Sequence, residues 1–340
     1  MGDARRVVAV LNSGIGPTGA NAELIGAGRQ LASALNGRLT AVVLDAEEAS
    51  DYRWAVALGA DEVRRVRAGW LSPYQADACV AALAEVCGQL EPGILLLAHD
   101  AVARAVAPRL AARLGGGLVT DCTSLEIAPD TGKLIATRPC FSGKAISEWS
   151  FDGSRVSIVT LRRRAFSVAE VDPGHAGTVE TMELAVQPEL RERLIEEVLP
   201  PPGQVKLEDA EVVVAVGRGV GSREAFQEYF VEGLAKALGA ACGGSRGAVD
   251  SGIIPPELQI GLTGRVVSPR LYIAVGLSGS PQHMAGCSGA GTIVAVNTDP
   301  QAPIFGYAHY GVVGDYRRVV PLLTERLKEQ MRKLGAEGQT

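Results

Sequence analysis

The chain has 340 residues, 47% of them hydrophobic and 21% charged, with a formal net charge of −5. That length predicts two domains, the balance is that of an ordinary folded protein, and the acidic sign argues against a nucleic-acid surface. Glycine is abundant, at 41, and aromatics make up only 5%, as expected where many tight turns join strands to helices.

The chain passes almost at once into the aliphatic run Val7–Leu11. This leaves no room for a secretory or transit peptide, and no apolar run approaches the roughly 18 residues of a membrane span. The expected location is the cytoplasm. A strand at Arg6–Leu11 leads to a helix over Ala20–Leu35, a strand at Leu39–Leu44, a short helix at Tyr52–Leu58 and a strand at Val63–Val66. A helix over Pro73–Leu90, a strand at Ile94–Ala98 and a helix over Ala101–Leu114 follow. Continuous aliphatic strands alternating with amphipathic helices predict a mainly parallel sheet covered on both faces. The Gly14–Gly19 turn fits neither phosphate-binding spacing, so it reads as a structural turn.

From Leu118 the pattern changes. Leu118–Ile127, Lys133–Phe141, Lys144–Phe151 and Arg155–Leu161 read as successive strands, with turn signals at Asp130-Thr131-Gly132 and Asp152-Gly153. They predict an antiparallel extension of the first domain. Arg162-Arg163-Arg164 reads as a solvated edge. Residues 187–210, with Pro200–Gly203, read as a linker that acts as a hinge. The domains are therefore 1–204 and 205–340.

Cys79, Cys87, Cys122, Cys140, Cys242 and Cys287 include no CxxC pair, which disfavours iron–sulfur and structural zinc sites. His99, His175, His283 and His309 have no metal-binding spacing. No metal is expected.

The second domain starts with the strand Val212–Val216, the turn Gly217-Arg218-Gly219-Val220-Gly221 and a helix from Ser222 to about Leu238. Strand, glycine-rich turn and helix are the parts of a dinucleotide pyrophosphate site, although GxGxG is not the usual fingerprint. Ser245-Arg246 follows two glycines; the guanidinium either serves a ligand or pairs with Asp250. Thr263 stands between glycines as a hydroxyl donor or a plain loop residue. After the strand Leu271–Val275 comes Ser278-Gly279-Ser280-Pro281-Gln282-His283. His283 would lie in the first turn of a helix, where the dipole lowers its pKa and a neighbouring anion raises it. A third strand, Val294–Val296, ends at Asn297, and Asp315 precedes a last helix over Arg317–Lys333. Asn297 and Asp315 suit either a ribose or adenine edge or a cap.

The segments GRGVGSREAF, GSRGAVDSG, QIGLTGRVVSPRLYIAVGLSGSPQHMAG, TIVAVNTDPQAPIF and YGVVGD, in that order, closely resemble the α subunit of electron transfer flavoproteins. The resemblance extends over nearly the whole chain. It implies an α/β fold with an N-terminal domain at the partner interface and a C-terminal doubly wound FAD-binding domain. It also implies one FAD held by Arg218, Ser245, Arg246, Ile260, Gly261, Leu262, Thr263, Ser278, Gly279, Ser280, Pro281, Gln282, His283, Asn297 and Asp315. Arg246 would lie over the isoalloxazine, Thr263 would donate to N5 and His283 would meet the N1/O2 edge, these three tuning the flavin. The implied partner is a β subunit in an obligate heterodimer, carrying AMP or a second FAD.

The implied activity is one-electron carriage between dehydrogenases of the acyl-CoA type and a quinone oxidoreductase, as in fatty acid β-oxidation, with no turnover of the chain's own. The alternative is an electron-bifurcating flavoprotein that uses NADH, with ferredoxin or flavodoxin and quinone or acyl-CoA acceptors. A stand-alone NAD(P)-dependent oxidoreductase fits less well. The chain departs from the family pattern at Leu262, Pro281, His309 and the small, glycine-rich Cys287–Gly291.

Overall fold

Alternate residues of the first strand face opposite cores: Val7, Ala9 and Leu11 enter one, Val8 and Val10 the other. Both faces are therefore buried, which is why the run is continuously aliphatic. The computed structural model describes residues 3–13, 16–17, 19–44, 51–141, 145–184, 188–192, 194–196 and 207–337. The chain divides into two units, one holding Met1–Cys140 with Lys144–Val198 and the other holding Phe141–Gly143 with Leu199–Thr340. The expected boundary at 204/205 and the Pro200–Gly203 linker lie outside the described residues.

In the first unit, β1 (Asp3–Leu11), β2 (Arg38–Leu44), β3 (Glu62–Arg67), β4 (Pro92–Ala98), β5 (Gly117–Cys122), β9 (Ser157–Leu161) and β10 (Thr178–Glu183) form a seven-stranded sheet. Its order is β10-β3-β2-β1-β4-β9-β5, and every pair is parallel. Helices α1 (Ala20–Ala34) and α2 (Arg53–Ala57) cover one face, and α3 (Ala76–Leu90) and α4 (Ala101–Leu114) the other. Asp100 caps α4 by accepting from the Ala103 amide at 2.8 Å. Cys79 and Cys87 are buried in the second of these cores.

The antiparallel extension is smaller than the sequence suggests. Only β6 (Ser124–Ile127), β7 (Leu134–Cys140) and β8 (Ala145–Ser150) form it. The strand expected at Leu118–Ile127 is two strands that part at Thr123, and β5 itself is irregular where Asp121 takes a left-handed φ of 61°. β9 leaves the meander and inserts between β4 and β5, because Ile158, Val159 and Leu161 are buried on both faces. Nor is the arginine run a solvated edge: Arg162 forms a two-pronged pair with Asp121, at 2.9 and 2.6 Å, and the Arg164 amide donates to the buried Glu23 carboxylate at 2.7 Å.

The second unit is a separate parallel sheet of β11 (Val212–Val216), β12 (Ala241–Gly244), β13 (Leu271–Val275), β14 (Thr292–Asn297) and β15 (Tyr310–Val313), in the order β12-β11-β13-β14-β15. One face packs against a helical stretch made of α5 (Arg223–Ala225), the wider π-helical turns of Phe226–Ala235 and α6 (Lys236–Leu238), together with α7 (Arg246–Asp250) and α9 (Tyr316–Glu337). The other packs against α8 (Pro281–Met284) and the loops carrying Ile260 and Ile304. Among the described residues, no helix is long and apolar enough to cross a membrane, and no group of three His, Cys, Asp or Glu side chains gathers as a metal site would require.

Candidate functional site

Strand order in the second unit reverses between β11 and β13, since the chain first winds outward to β12 and then to β13, β14 and β15. At such a switch point the loops leaving two neighbouring strands diverge and open a crevice at their carboxyl ends. Every residue that the resemblance assigns to FAD lies in or beside loops at that edge, with Ile260–Thr263 brought there by pairing to the end of β12.

The β11 turn packs directly on the β13 turn. The Gly217 amide donates to the Val275 carbonyl at 2.8 Å and the Gly219 amide to the Gly276 carbonyl at 3.3 Å. A Cβ at Gly217 would collide with the Gly276 carbonyl, so only glycine permits this approach. Arg218 follows and is exposed. Ser222 then caps the helix, its hydroxyl accepting from the Ala225 amide at 3.2 Å. From β12, the Ser245 amide donates to the Val216 carbonyl at 3.0 Å, which ties this loop to β11. Ser245 caps α7, and Arg246 stands 73% exposed with its guanidinium 3.6 Å from Asp250.

The Ile260 amide donates to the Gly244 carbonyl at 2.8 Å, and the Leu262 amide to the Gln282 carbonyl at 2.7 Å. Thr263 is exposed, and its hydroxyl accepts from the Gln259 side-chain Nε2 at 3.1 Å. Leu262, one of the departures from the family pattern, is exposed as well. Gly279 takes a φ of +81°, and a Cβ there would meet the Ile304 amide. Ser278, Ser280, Pro281 and Gln282 are exposed. Ser280 caps α8 with Pro281 as its first residue, a position that needs no amide donor.

His283 differs from its neighbours. It is 4% exposed and turned inward. Its Nε2 lies 2.8 Å from the Tyr272 hydroxyl and its Nδ1 3.0 Å from the Ile260 carbonyl. Burial lowers its pKa to about 4, against an opposing contribution from the Ile260 hydrogen bond. The ring is therefore neutral at ordinary pH, and it does not share the exposed rim with Arg246 and Thr263. Asn297 donates to the Leu277 carbonyl at 2.8 Å and accepts from the Asp299 amide at 3.0 Å. Asp315 accepts from the Arg317 amide at 2.9 Å. Both are turn or cap residues at the β14 and β15 ends. His309 is structural: its Nδ1 accepts from the Ile293 amide at 3.0 Å.

Tyr272 was not singled out from the sequence. A lone Tyr in an aliphatic strand reads as core, and its only signal is a hydroxyl that needs a buried partner. Close-approach glycine turns, two exposed guanidiniums and hydroxyl and amide donors on one sheet edge suit an anionic dinucleotide. The residues present fit such a group.

Comparison with known proteins agrees. The family model described as "Electron transfer flavoprotein domain" matches residues 16–187. That described as "Electron transfer flavoprotein FAD-binding domain" matches residues 206–288. The chain is 38% identical over 307 residues to electron transfer flavoprotein subunit alpha of Bacillus subtilis, covering 90% of this chain and 92% of that protein. It is 37% identical over 308 residues to Protein FixB of Clostridium saccharobutylicum, covering 90% and 91%. Protein FixB of Azorhizobium caulinodans is 40% identical over 314 residues, covering 91% and 84%.

Proposed function

The chain belongs to the electron transfer flavoprotein α-subunit family, and from that premise we propose that it holds one FAD at the carboxyl edge of the β11–β15 sheet. In this reading it works in the cytoplasm beside a β subunit that carries AMP or a second FAD. The pair carries electrons singly from dehydrogenases, of the acyl-CoA type, to a quinone oxidoreductase. Residues 205–340 act as the flavin domain and residues 1–204 as the partner-facing domain.

The observation that carries this reading is the contiguity of the edge. Gly217–Arg218, Ser245–Arg246, Ile260–Thr263 and Ser278–His283 are joined by backbone hydrogen bonds from one loop to the next. Arg218 and the Gly217–Gly221 and Ser278–Ser280 turns would hold the pyrophosphate, since a helix start and close backbone favour negative charge. Arg246 and Thr263 would face the ring, the guanidinium as a fixed cation and the hydroxyl as a donor. Asn297 and Asp315 would set the β14 and β15 loops at the nucleotide end. Bound there, FAD supplies a ring that accepts and releases electrons one at a time.

The test is co-production with a β subunit, followed by visible absorbance of the purified pair. A yellow complex that loses flavin when Arg218 is changed to Ala supports the reading. A colourless complex, or flavin held by the first unit, overturns it. Rapid mixing with an acyl-CoA dehydrogenase and then with a quinone oxidoreductase tests the electron path.

A further inference from the structure

The loop that carries Thr263 is short and tightly closed. The Gly264 amide donates to the Gly261 carbonyl at 3.0 Å and the Arg265 amide to the Gln259 carbonyl at 2.7 Å. Where its tip stands is set by its root, Ile260. That residue is held on one side through its amide to Gly244 and on the other through its carbonyl to His283 Nδ1, at 3.0 Å. A carbonyl can only accept, so Nδ1 carries the proton. In the neutral ring Nε2 is then a bare acceptor, and the Tyr272 hydroxyl, 2.8 Å away, donates to it. Tyr272 is fully buried on β13. The Cys287 thiol, buried beside this pair, donates to the His283 carbonyl at 3.7 Å.

We infer that Tyr272 and His283 are positioning residues: a buried strut that runs from β13 through the imidazole to the Ile260 carbonyl and sets where Gly261–Thr263 stands. This rests on the proposal that FAD lies against that loop. It assigns His283 a role that acts through Ile260, in place of direct contact with the ring. A neutral imidazole protonated at Nδ1 presents only a lone pair at Nε2, and that lone pair is already taken.

The experiment uses the α–β complex. Nitrogen NMR of histidine-labelled protein should show His283 protonated at Nδ1 and bare at Nε2 from about pH 5 to 8. The signals should be unchanged when FAD is stripped and reloaded. A proton or a new bond appearing at Nε2 on FAD loading overturns the inference, and this measurement needs no variant. In parallel, His283→Ala and Tyr272→Phe should weaken FAD binding about tenfold, the scale of one unpaired buried polar group, with a displaced flavin absorbance band.

His283→Asn places an amide donor near the position of Nδ1 and should recover most of the loss. His283→Gln places its donor near Nε2 and should not. Recovery by Gln and not Asn overturns the inference, as does wild-type absorbance and affinity in Tyr272→Phe. Wild-type protein that binds no FAD would instead overturn the reading on which the inference rests.

Discussion

Arg246 shows how little its present partner contributes. Its guanidinium lies 3.6 Å from Asp250 and both side chains are mostly exposed, a pair of the kind worth about 0–1 kcal/mol. Little is lost when it turns to another anion. Arg246→Ala should therefore leave the unfolding midpoint within about 0.5 kcal/mol of wild type. The one-electron potential of bound FAD should fall by about 59 mV or more, a tenfold change for one electron. A spectroelectrochemical titration checks this, and an unchanged potential would make the cation irrelevant to the ring.

His283 gives the opposite case. Its folded pKa of about 4 lies below the ordinary value of 6.5. The unfolded chain thus binds the extra proton first, and stability falls as pH drops from about 6.5 toward 4, by roughly 3 kcal/mol in all. Urea unfolding of wild type and His283→Asn across that window should show a smaller pH slope in the variant; equal slopes would mean the ring titrates normally. The position of both residues was legible from the glycine-flanked loops. The inward turn of His283 was not, because it depends on Tyr272, a partner on a different element.

Elements buried on both faces announced themselves. β1, β4, β11 and β13 are aliphatic runs because each supplies two cores. The edge strands β10, β12 and β15 did not. β10 reads Thr-Val-Glu-Thr-Met-Glu and is largely exposed; what holds it is its backbone ladder to β3 and the Arg64–Glu180 and Arg67–Glu183 pairs, partners more than a hundred residues apart. β12 and β15 are four residues each, too short for a period. The sharpest element-level constraint is the meeting of the β11 and β13 turns. Gly217→Ala pushes a methyl into the Gly276 carbonyl, and Gly279→Ala both strains a left-handed φ and strikes the Ile304 amide. Backbone must move in each, so each should cost about 3 kcal/mol or more in denaturant unfolding. Gly247→Ala in α7 meets only ordinary contacts and should change stability by less than about 1 kcal/mol. If the three variants are equally stable, the turns are not packed as described.

Each unit of the molecule has its own pair of cores, and each also exposes apolar side chains. In the first, Ile146 and Trp149 on the small antiparallel sheet are exposed. In the second, the edge strand β15 carries Tyr310, Val312 and Val313 with all four of its residues exposed. An exposed apolar sheet edge is a template for association, and grouped exposed apolar residues mark partner surfaces. An α-subunit family implies the partner. The chain made alone should self-associate and hold flavin poorly. With its β subunit it should become a single heterodimer burying more than the ~2,000 Å² at which permanent interfaces begin. Trp149→Glu and Tyr310→Glu place a charge on those surfaces without touching either core. Either should weaken the heterodimer measurably in sedimentation while leaving the far-ultraviolet dichroism of the chain unchanged. Light scattering that shows a monodisperse, fully flavinated monomer would refute the obligate pairing, and heterodimer affinity unmoved by both charges would place the interface elsewhere.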